Sequence, residues 1–238
     1  AVNLLNSHCR AEKGQDRTVF WPGGEKMRTQ IKFLCLLAFI FFLRFVVSAQ
    51  ADNTVRVTIL HLNDTYQFSP VDGGKRGGLV LKENPNTIMT LGGDTVSPSV
   101  ETRTYKGAQM IDAWNMVGLD YSVFGNHEFD LKTADLRDRM KESKFQWLGA
   151  NVIDKKTGKI FADTPPYIIR SIGGVKIGII GLLLPETKET SSMEASLNVT
   201  DYCAVAKRLV PRMRRAGANV IIGLTHMFMA QDKKLAGC

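Results

Sequence analysis

Beyond residue 52 the chain alternates short apolar runs, typical of β-strands, with stretches whose apolar residues recur at helical spacing. These patterns predict strands at 55–62, 87–91, 121–124, 167–172, 175–183 and 220–224 and helices at 105–117 and 201–215. Gly118 stands where a helix C-cap is expected, and Pro211 is expected to disturb the second helix. The dipeptide Gly173-Gly174 is typical of a hairpin turn. This order of elements predicts an α/β or α+β fold, and we expect residues 52–238 to form one domain.

The amino-terminal 51 residues have a different pattern. Residues 1–26 lack apolar periodicity, which is typical of a leader or an unstructured extension. Within 27–51, a short basic segment precedes an apolar run at 33–47 that one arginine interrupts, and small residues follow. This order predicts a signal peptide cleaved after Ala49 or Ala51, and hence a secreted protein, extracellular or periplasmic. Because a bilayer needs about 20 apolar residues, we expect membrane anchoring only if 33–47 is retained.

Composition and charge exclude several classes of protein. An apolar fraction of 44% and a charged fraction of 23% are ordinary for a globular protein and exclude collagen-like and low-complexity chains. The formal charge is +8, but residues 1–51 carry seven basic and three acidic side chains, which leaves only +4 beyond them. We therefore expect no nucleic-acid partner. The four cysteines form no Cys-x-x-Cys pair, which excludes a zinc ribbon, and the pairing of Cys203 with Cys238 stays open.

Polar side chains follow four of the predicted strands at the point where each strand ends. They are Asp64, Asp94, Asn126 with the adjacent His127, and His226. Ligands of open α/β sheets bind at the carboxyl ends of strands, so these residues can meet in one crevice. Carboxylate, amide and imidazole groups suit Zn, Mn, Fe, Mg or Ca. Each residue alone is more typical of a turn or of scaffolding, but the repeated placement favours a metal site.

At these residues the sequence resembles a known family. The segments Ile-Leu-His-Leu-Asn-Asp at 59–64, Leu-Gly-Gly-Asp at 91–94, Gly-Asn-His-Glu-Phe-Asp at 125–130 and Leu-Thr-His-Met at 224–227 occur in that order. They resemble the calcineurin-like metallophosphatase domain of the 5′-nucleotidase family, over about residues 55–237. The resemblance implies a four-layer α/β/β/α sandwich and a phosphoesterase that acts on nucleotides or other phosphate esters. It also implies two divalent metal ions, whose bridging hydroxide attacks the phosphorus.

The resemblance also implies a function for each residue of the site. The implied metal ligands are Asp64, Asp94, Asn126 and His226. Asp94 would bridge both metals, Asp64 would bind the first, and the remaining two would bind the second. His127 would stabilise or protonate the departing ester oxygen, and Asp130 would orient its ring.

Three features depart from the family pattern. Tyr66 stands where the family usually has a metal-ligating His, so it either lines the pocket or ligates a metal as a phenolate. The later Gly-x-His-x-His segment of the family does not occur in this sequence, nor does its C-terminal nucleotide-binding domain. We therefore expect either a fragment of a longer reading frame or a product that cannot hold both metals.

Two functions remain open at this point. One is a secreted metal-dependent phosphoesterase, a hydrolase of nucleotide catabolism. The other is a catalytically silent binding protein that keeps a truncated metallophosphatase fold. Arg76, in the glycine cluster at 73–78, either belongs to a flexible turn or faces a phosphate oxygen.

Overall fold

A computed structural model describes residues 54–66 and 86–238, together with Lys32. Apart from Lys32, the predicted leader and signal peptide lie outside the described residues, as does the glycine cluster. No helix in the described part of the chain combines the length and the hydropathy that a bilayer span requires.

The described chain alternates strands with helices. The strands are β1 (Thr58–Leu62), β2 (Thr87–Leu91), β3 (Tyr121–Val123), β4 (Gln146–Leu148), β5 (Val152–Asp154), β6 (Tyr167–Ile172), β7 (Val175–Leu183), β8 (Leu197–Val199) and β9 (Val220–His226). The α-helices are α1 (Val100–Tyr105), α2 (Ala108–Val117), α3 (Thr133–Glu142), α4 (Thr187–Thr190), α5 (Tyr202–Arg215) and α6 (Met229–Ala236). Single 3-10 turns occupy His127–Asp130 and Phe161–Asp163.

Two sheets build the centre of the fold. The first contains four parallel strands in the order β1-β2-β3-β4. The second has the order β6-β7-β9, with β6 antiparallel and β9 parallel to β7. Strands β5 and β8 form a separate antiparallel pair. The predicted hairpin is confirmed, because Ile172 pairs with Val175 across the two glycines.

Packing arranges these sheets and the helices in four layers. Between the sheets, Ile88 and Val123 of the first belong to one buried cluster with Ile179 and Leu224 of the second. Trp114 of α2 belongs to a cluster that covers the other face of the first sheet, together with residues of α3. Helix α5 packs on the outer face of the second sheet in a third cluster. The predicted α/β/β/α fold is therefore confirmed.

Two predicted details of the helices are wrong. The helix expected at 105–117 begins later, at Ala108, because Gly107, whose φ is 82°, separates α2 from the short preceding helix α1. A Cβ at Gly107 would lie 2.5 Å from Cβ of Val96, so the glycine permits a close contact with the loop after β2. Helix α5 runs through Pro211 without interruption. Its amphipathic pattern buries one face, including Leu209 and Met213, and this packing holds the helix together despite the proline.

A disulfide bond resolves the question about the cysteines. Cys203, in the first turn of α5, pairs with Cys238, and their Cα atoms are 5.7 Å apart. The bond therefore ties α5 to the residues that follow α6.

Candidate metal and phosphate-ester site

The predicted strand-end residues converge on one pocket. Strands β1, β2 and β3 are parallel, so their carboxyl ends lie at the same edge of the first sheet. Backbone bonds join two of these ends: Gly92 donates to the carbonyl of Leu62 at 2.7 Å, and Asp64 donates to Gly93 at 3.1 Å. Strand β9 brings His226 to this edge from the second sheet. The resulting pocket has a volume of about 550 Å³, and its lining includes Asp64, Tyr66, Asp94, Asn126, His127 and His226.

The pocket contains a group of side chains whose chemistry fits a divalent cation. One ligand atom each from Asp64, Asp94 and His226 lies within 4.8 Å of the other two. Nε2 of His226 is 2.9 Å from Oδ1 of Asn126 and 3.3 Å from Oδ2 of Asp94. Two carboxylates, one imidazole and one amide oxygen are the donors that Zn²⁺, Mn²⁺ and similar ions accept. This donor set therefore fits a divalent cation, the kind of ion that the fold family implies.

His226 has oxygen acceptors at both ring nitrogens. Its Nδ1 is 2.7 Å from the carbonyl of Gly92, while Nε2 faces Asn126 and Asp94. Burial lowers the pKa of His226, but the hydrogen bond to Asp94, the charge of that carboxylate and the Gly92 carbonyl together raise it to about 9. A cation bound at Nε2 would therefore compete with a proton for that nitrogen.

Tyr66 bridges two of the carboxylates. Its hydroxyl donates to Oδ1 of Asp64 at 2.8 Å and lies 3.4 Å from Oδ2 of Asp94. Burial and the hydrogen bond to Asp64, together with the charge of Asp94, raise the pKa of Tyr66 well above its usual value. A neutral phenol is a weak metal ligand, which favours the pocket-lining interpretation of Tyr66 over the phenolate.

His127 is held at the mouth of the pocket by Asp130. Nδ1 of His127 lies 2.7 Å from Oδ2 of Asp130, and both side chains are partly exposed. Asp130 is itself fixed, because it accepts hydrogen bonds from the hydroxyl of Ser97 and the backbone of Ser192. With Nδ1–H donated to Asp130, Nε2 is the nitrogen available to a bound molecule. The backbone N–H of His127 donates to Oδ1 of Asp94 at 2.8 Å, which joins this pair to the proposed metal ligands.

Glu128 is a residue of the site that the sequence did not single out. Its side chain is fully buried and accepts hydrogen bonds from the backbone of Asp94 and of Gly125. Burial and the nearby charge of Asp94 raise the pKa of Glu128, while its backbone hydrogen bonds oppose that change. Its position between two predicted site residues could have singled it out in the sequence. Its partners could not be predicted, because those after β2 lie more than 30 residues away along the chain.

Arg76 lies outside the described residues, so its proposed contact with a phosphate stays a prediction.

The sequence is similar to several 5′-nucleotidases, although no protein-family model matches it. A 5′-nucleotidase of Rattus norvegicus is 30% identical over 162 residues, which are 66% of this chain and 28% of the relative. A snake venom 5′-nucleotidase of Gloydius brevicauda is 29% identical over 207 residues, which are 78% of this chain and 35% of the relative. The chain thus spans about a third of the length of these relatives.

Solved structures agree with this result. The 5′-nucleotidase precursor of Thermus thermophilus superposes with a TM-score of 0.65 at 27% identity, covering 76% of this chain and 39% of that one. A calcineurin-like phosphoesterase of Bacillus subtilis, YfkN, superposes with a TM-score of 0.58 at 22% identity, covering 73% of this chain and 62% of that one. The fold is therefore that of the calcineurin-like metallophosphatases. Within this class the predicted resemblance to the 5′-nucleotidase family, a family of hydrolases, is confirmed.

Proposed function

We propose that this chain is the metallophosphatase domain, residues 52–238, of an exported enzyme that hydrolyses nucleotide phosphate esters. The observation that carries the proposal is the convergence of Asp64, Asp94 and His226 within 4.8 Å in a pocket that also contains His127. A metal-dependent phosphoesterase needs ligands for its cations and a general acid, and here the imidazole of His127, hydrogen-bonded to a carboxylate, lies beside the cluster of possible ligands.

The proposed cofactors are two divalent cations, each of which is Zn, Mn, Mg, Ca or Fe. Asp94 would contact both, because its two oxygens face different neighbours: Oδ1 accepts from the backbone of His127, while Oδ2 faces Tyr66 and His226. Asp64 would serve the first cation, and Asn126 with His226 the second. When bound, the cations supply Lewis-acid activation of the phosphoryl group and of the attacking water.

Proton transfer to the leaving group is assigned to His127. Nδ1 is bound to Asp130, so the ring presents Nε2 to the ester oxygen that departs. Asp130 keeps the ring in one orientation and stabilises its positive charge before the proton is given up. Neither residue is a proposed metal ligand, so their contribution is separable from cation binding.

The proposed substrate is a nucleotide or a related phosphate ester. The similarity to 5′-nucleotidases supports a nucleotide, and the mild net charge beyond residue 51 supports a small molecule rather than a nucleic acid. Arg76 would face a phosphate oxygen. Export rests on the signal-peptide pattern at 27–51, with membrane attachment only if 33–47 is retained.

Calorimetric titration with Mn²⁺ and Zn²⁺ tests the metal site. We expect the wild-type chain to bind cations and Asp94→Asn to weaken binding by about 100-fold or more, because a ligand to both cations loses its charge. Asp138→Asn is the matched control, since Asp138 is exposed and pairs with a surface lysine, Lys141, away from the pocket. Equal affinities of the wild type and Asp94→Asn would remove the basis of the proposal.

One observation favours the second candidate function, a catalytically silent binding protein. The hydroxyl of Tyr66 already contacts one carboxylate oxygen each of Asp64 and Asp94, and both residues would be cation ligands in the enzyme. Metal binding without phosphate release from nucleotides, with or without Tyr66→His, would support this candidate over the enzyme.

A further inference from the structure

Glu128 is a buried acidic residue with neither a metal to bind nor a proton to transfer in the proposed function. None of its surface is exposed to solvent. Burying a carboxylate is costly unless hydrogen bonds compensate, and an apolar side chain would fill the same space without that cost. The contacts of its two oxygens show which backbone groups the carboxylate holds.

Both oxygens of Glu128 accept hydrogen bonds from backbone N–H groups. Oε2 accepts from Asp94 at 2.8 Å and from Gly125 at 2.5 Å. Oε1 accepts from Thr95 at 2.6 Å and from Val96 at 3.3 Å. One carboxylate therefore joins two separate loops, one after β2 and one after β3.

These two loops carry the proposed ligands and the proposed acid. The first contains Asp94, and the second contains Asn126 and His127. Asp94 has a φ of 58°, a left-handed conformation that is unfavourable for a residue with a side chain, and the hydrogen bond from its N–H to Glu128 helps to hold it there. The loops touch so closely that a Cβ added at Gly125 would lie 2.1 Å from Oδ1 of Asp94.

We propose that Glu128 is a positioning residue, whose carboxylate fixes Asp94 relative to Asn126 and His127 so that the cation ligands and the proton donor share one geometry. The inference deepens the proposed metal-dependent function and rests on it. It differs from a general contribution to folding, because the four backbone donors to Glu128 all lie in the two loops of the site.

The test substitutes Glu128→Gln in the full chain. The amide keeps the size and one oxygen, but its NH₂ group faces backbone N–H donors that then lack an acceptor. Glu128→Asp is the second variant, since its shorter side chain keeps the charge but cannot reach both loops. Glu142→Gln is the matched control, because Glu142 is exposed and its side chain pairs with Arg139, away from both loops. Thermal unfolding of each variant establishes that it is folded.

Two measurements follow, amide hydrogen exchange in the absence of cations and calorimetric titration with Mn²⁺. In Glu128→Gln we expect exchange at Asp94, Thr95 and Gly125 to accelerate by about tenfold or more, while the amides of β7 stay protected. We expect the affinity for Mn²⁺ to fall about 10- to 100-fold, as is usual when a partner of metal ligands is lost. Glu142→Gln should match the wild type in both measurements.

Unchanged exchange in both loops would overturn the inference, as would accelerated exchange with an affinity for Mn²⁺ within about twofold of the wild type. A different result would contradict the proposed function: the wild-type chain would bind no cation. In that case exchange in the two loops alone decides whether Glu128 positions them, because this measurement needs no metal.

Discussion

At the scale of single residues, Asp94 and Tyr66 touch each other but are assigned different functions. We predict that Asp94→Asn lowers metal-dependent phosphate release by more than about 100-fold, whereas Tyr66→Phe lowers it by less than about tenfold. The reason is that Asp94 would contact both cations, while Tyr66 contributes only a hydroxyl at 3.4 Å from Asp94 and 2.8 Å from Asp64. Initial rates with adenosine monophosphate at saturating Mn²⁺ measure both. Equal losses would make Tyr66 a metal ligand.

Asp130 gives a second prediction at this scale. Asp130→Asn should reduce phosphate release by about 100-fold, because the amide no longer stabilises a protonated His127 ring. Affinity for Mn²⁺ should stay within about twofold of the wild type, since the side chain of Asp130 bonds to Ser97, His127 and Ser192 rather than to a proposed metal ligand. Parallel rate assays and calorimetric titrations separate the two quantities. A large loss of affinity would show that Asp130 supports the metal site instead.

Residue types and their spacing predicted that the strand-end side chains meet in one pocket. Asp94 and Asn126 follow strands, His226 is the last residue of β9, and parallel strands bring their carboxyl ends together. The hydrogen bonds of Glu128 and Tyr66 were not predictable in this way. They join residues that are distant in the sequence or depend on side-chain orientation, and neither property leaves a periodic pattern.

At the scale of elements, the close contact between the loops after β2 and β3 determines the shape of the site. We predict that Gly125→Ala lowers the free energy of unfolding by about 1–3 kcal/mol and weakens Mn²⁺ binding by about tenfold, because the added Cβ would lie 2.1 Å from Oδ1 of Asp94. Gly223→Ala is the control, since the nearest atom to its Cβ would lie at 3.5 Å. Denaturant unfolding and calorimetry measure the two effects. Equal behaviour of the two variants would contradict the close contact.

Some elements of the fold were predictable from apolar runs and others were not. Strands β6 and β7 and the hairpin between them follow from apolar runs flanking two glycines. Strands β4, β5 and β8 have three residues each and were not predicted, whereas β3, also of three residues, was recognised from the apolar run that ends at Gly125. The break between α1 and α2 follows from the contact between Gly107 and Val96, which only the folded chain reveals.

At the scale of the whole molecule, the Cys203–Cys238 disulfide links α5 to the end of the chain. We predict that Cys203→Ser lowers the free energy of unfolding by about 2–4 kcal/mol, because the bond closes a long loop, 35 residues in sequence separation, in the unfolded chain. Reduction should destabilise the wild type by a similar amount and leave the variant unchanged. Denaturant unfolding with and without a reductant measures this. A wild type insensitive to reduction would show that the bond contributes nothing to stability.

The four-layer arrangement came from the family resemblance, whereas alternation of strands and helices predicted only a mixed fold. Which helices cover which sheet depends on packing between distant apolar clusters, such as Ile88 and Val123 against Ile179. The motifs at 91–94 and 125–130 carried that resemblance.

The central claim is that this site hydrolyses phosphate esters with the help of divalent cations. The most direct measurement is release of inorganic phosphate from adenosine monophosphate, with Mn²⁺ or Zn²⁺ and then with a chelator, for the wild type and His127→Ala. The predicted result is release that requires the cation, stops with the chelator and falls by about 100-fold or more in His127→Ala. Release that persists with the chelator, or that is equal in the wild type and His127→Ala, would contradict the claim.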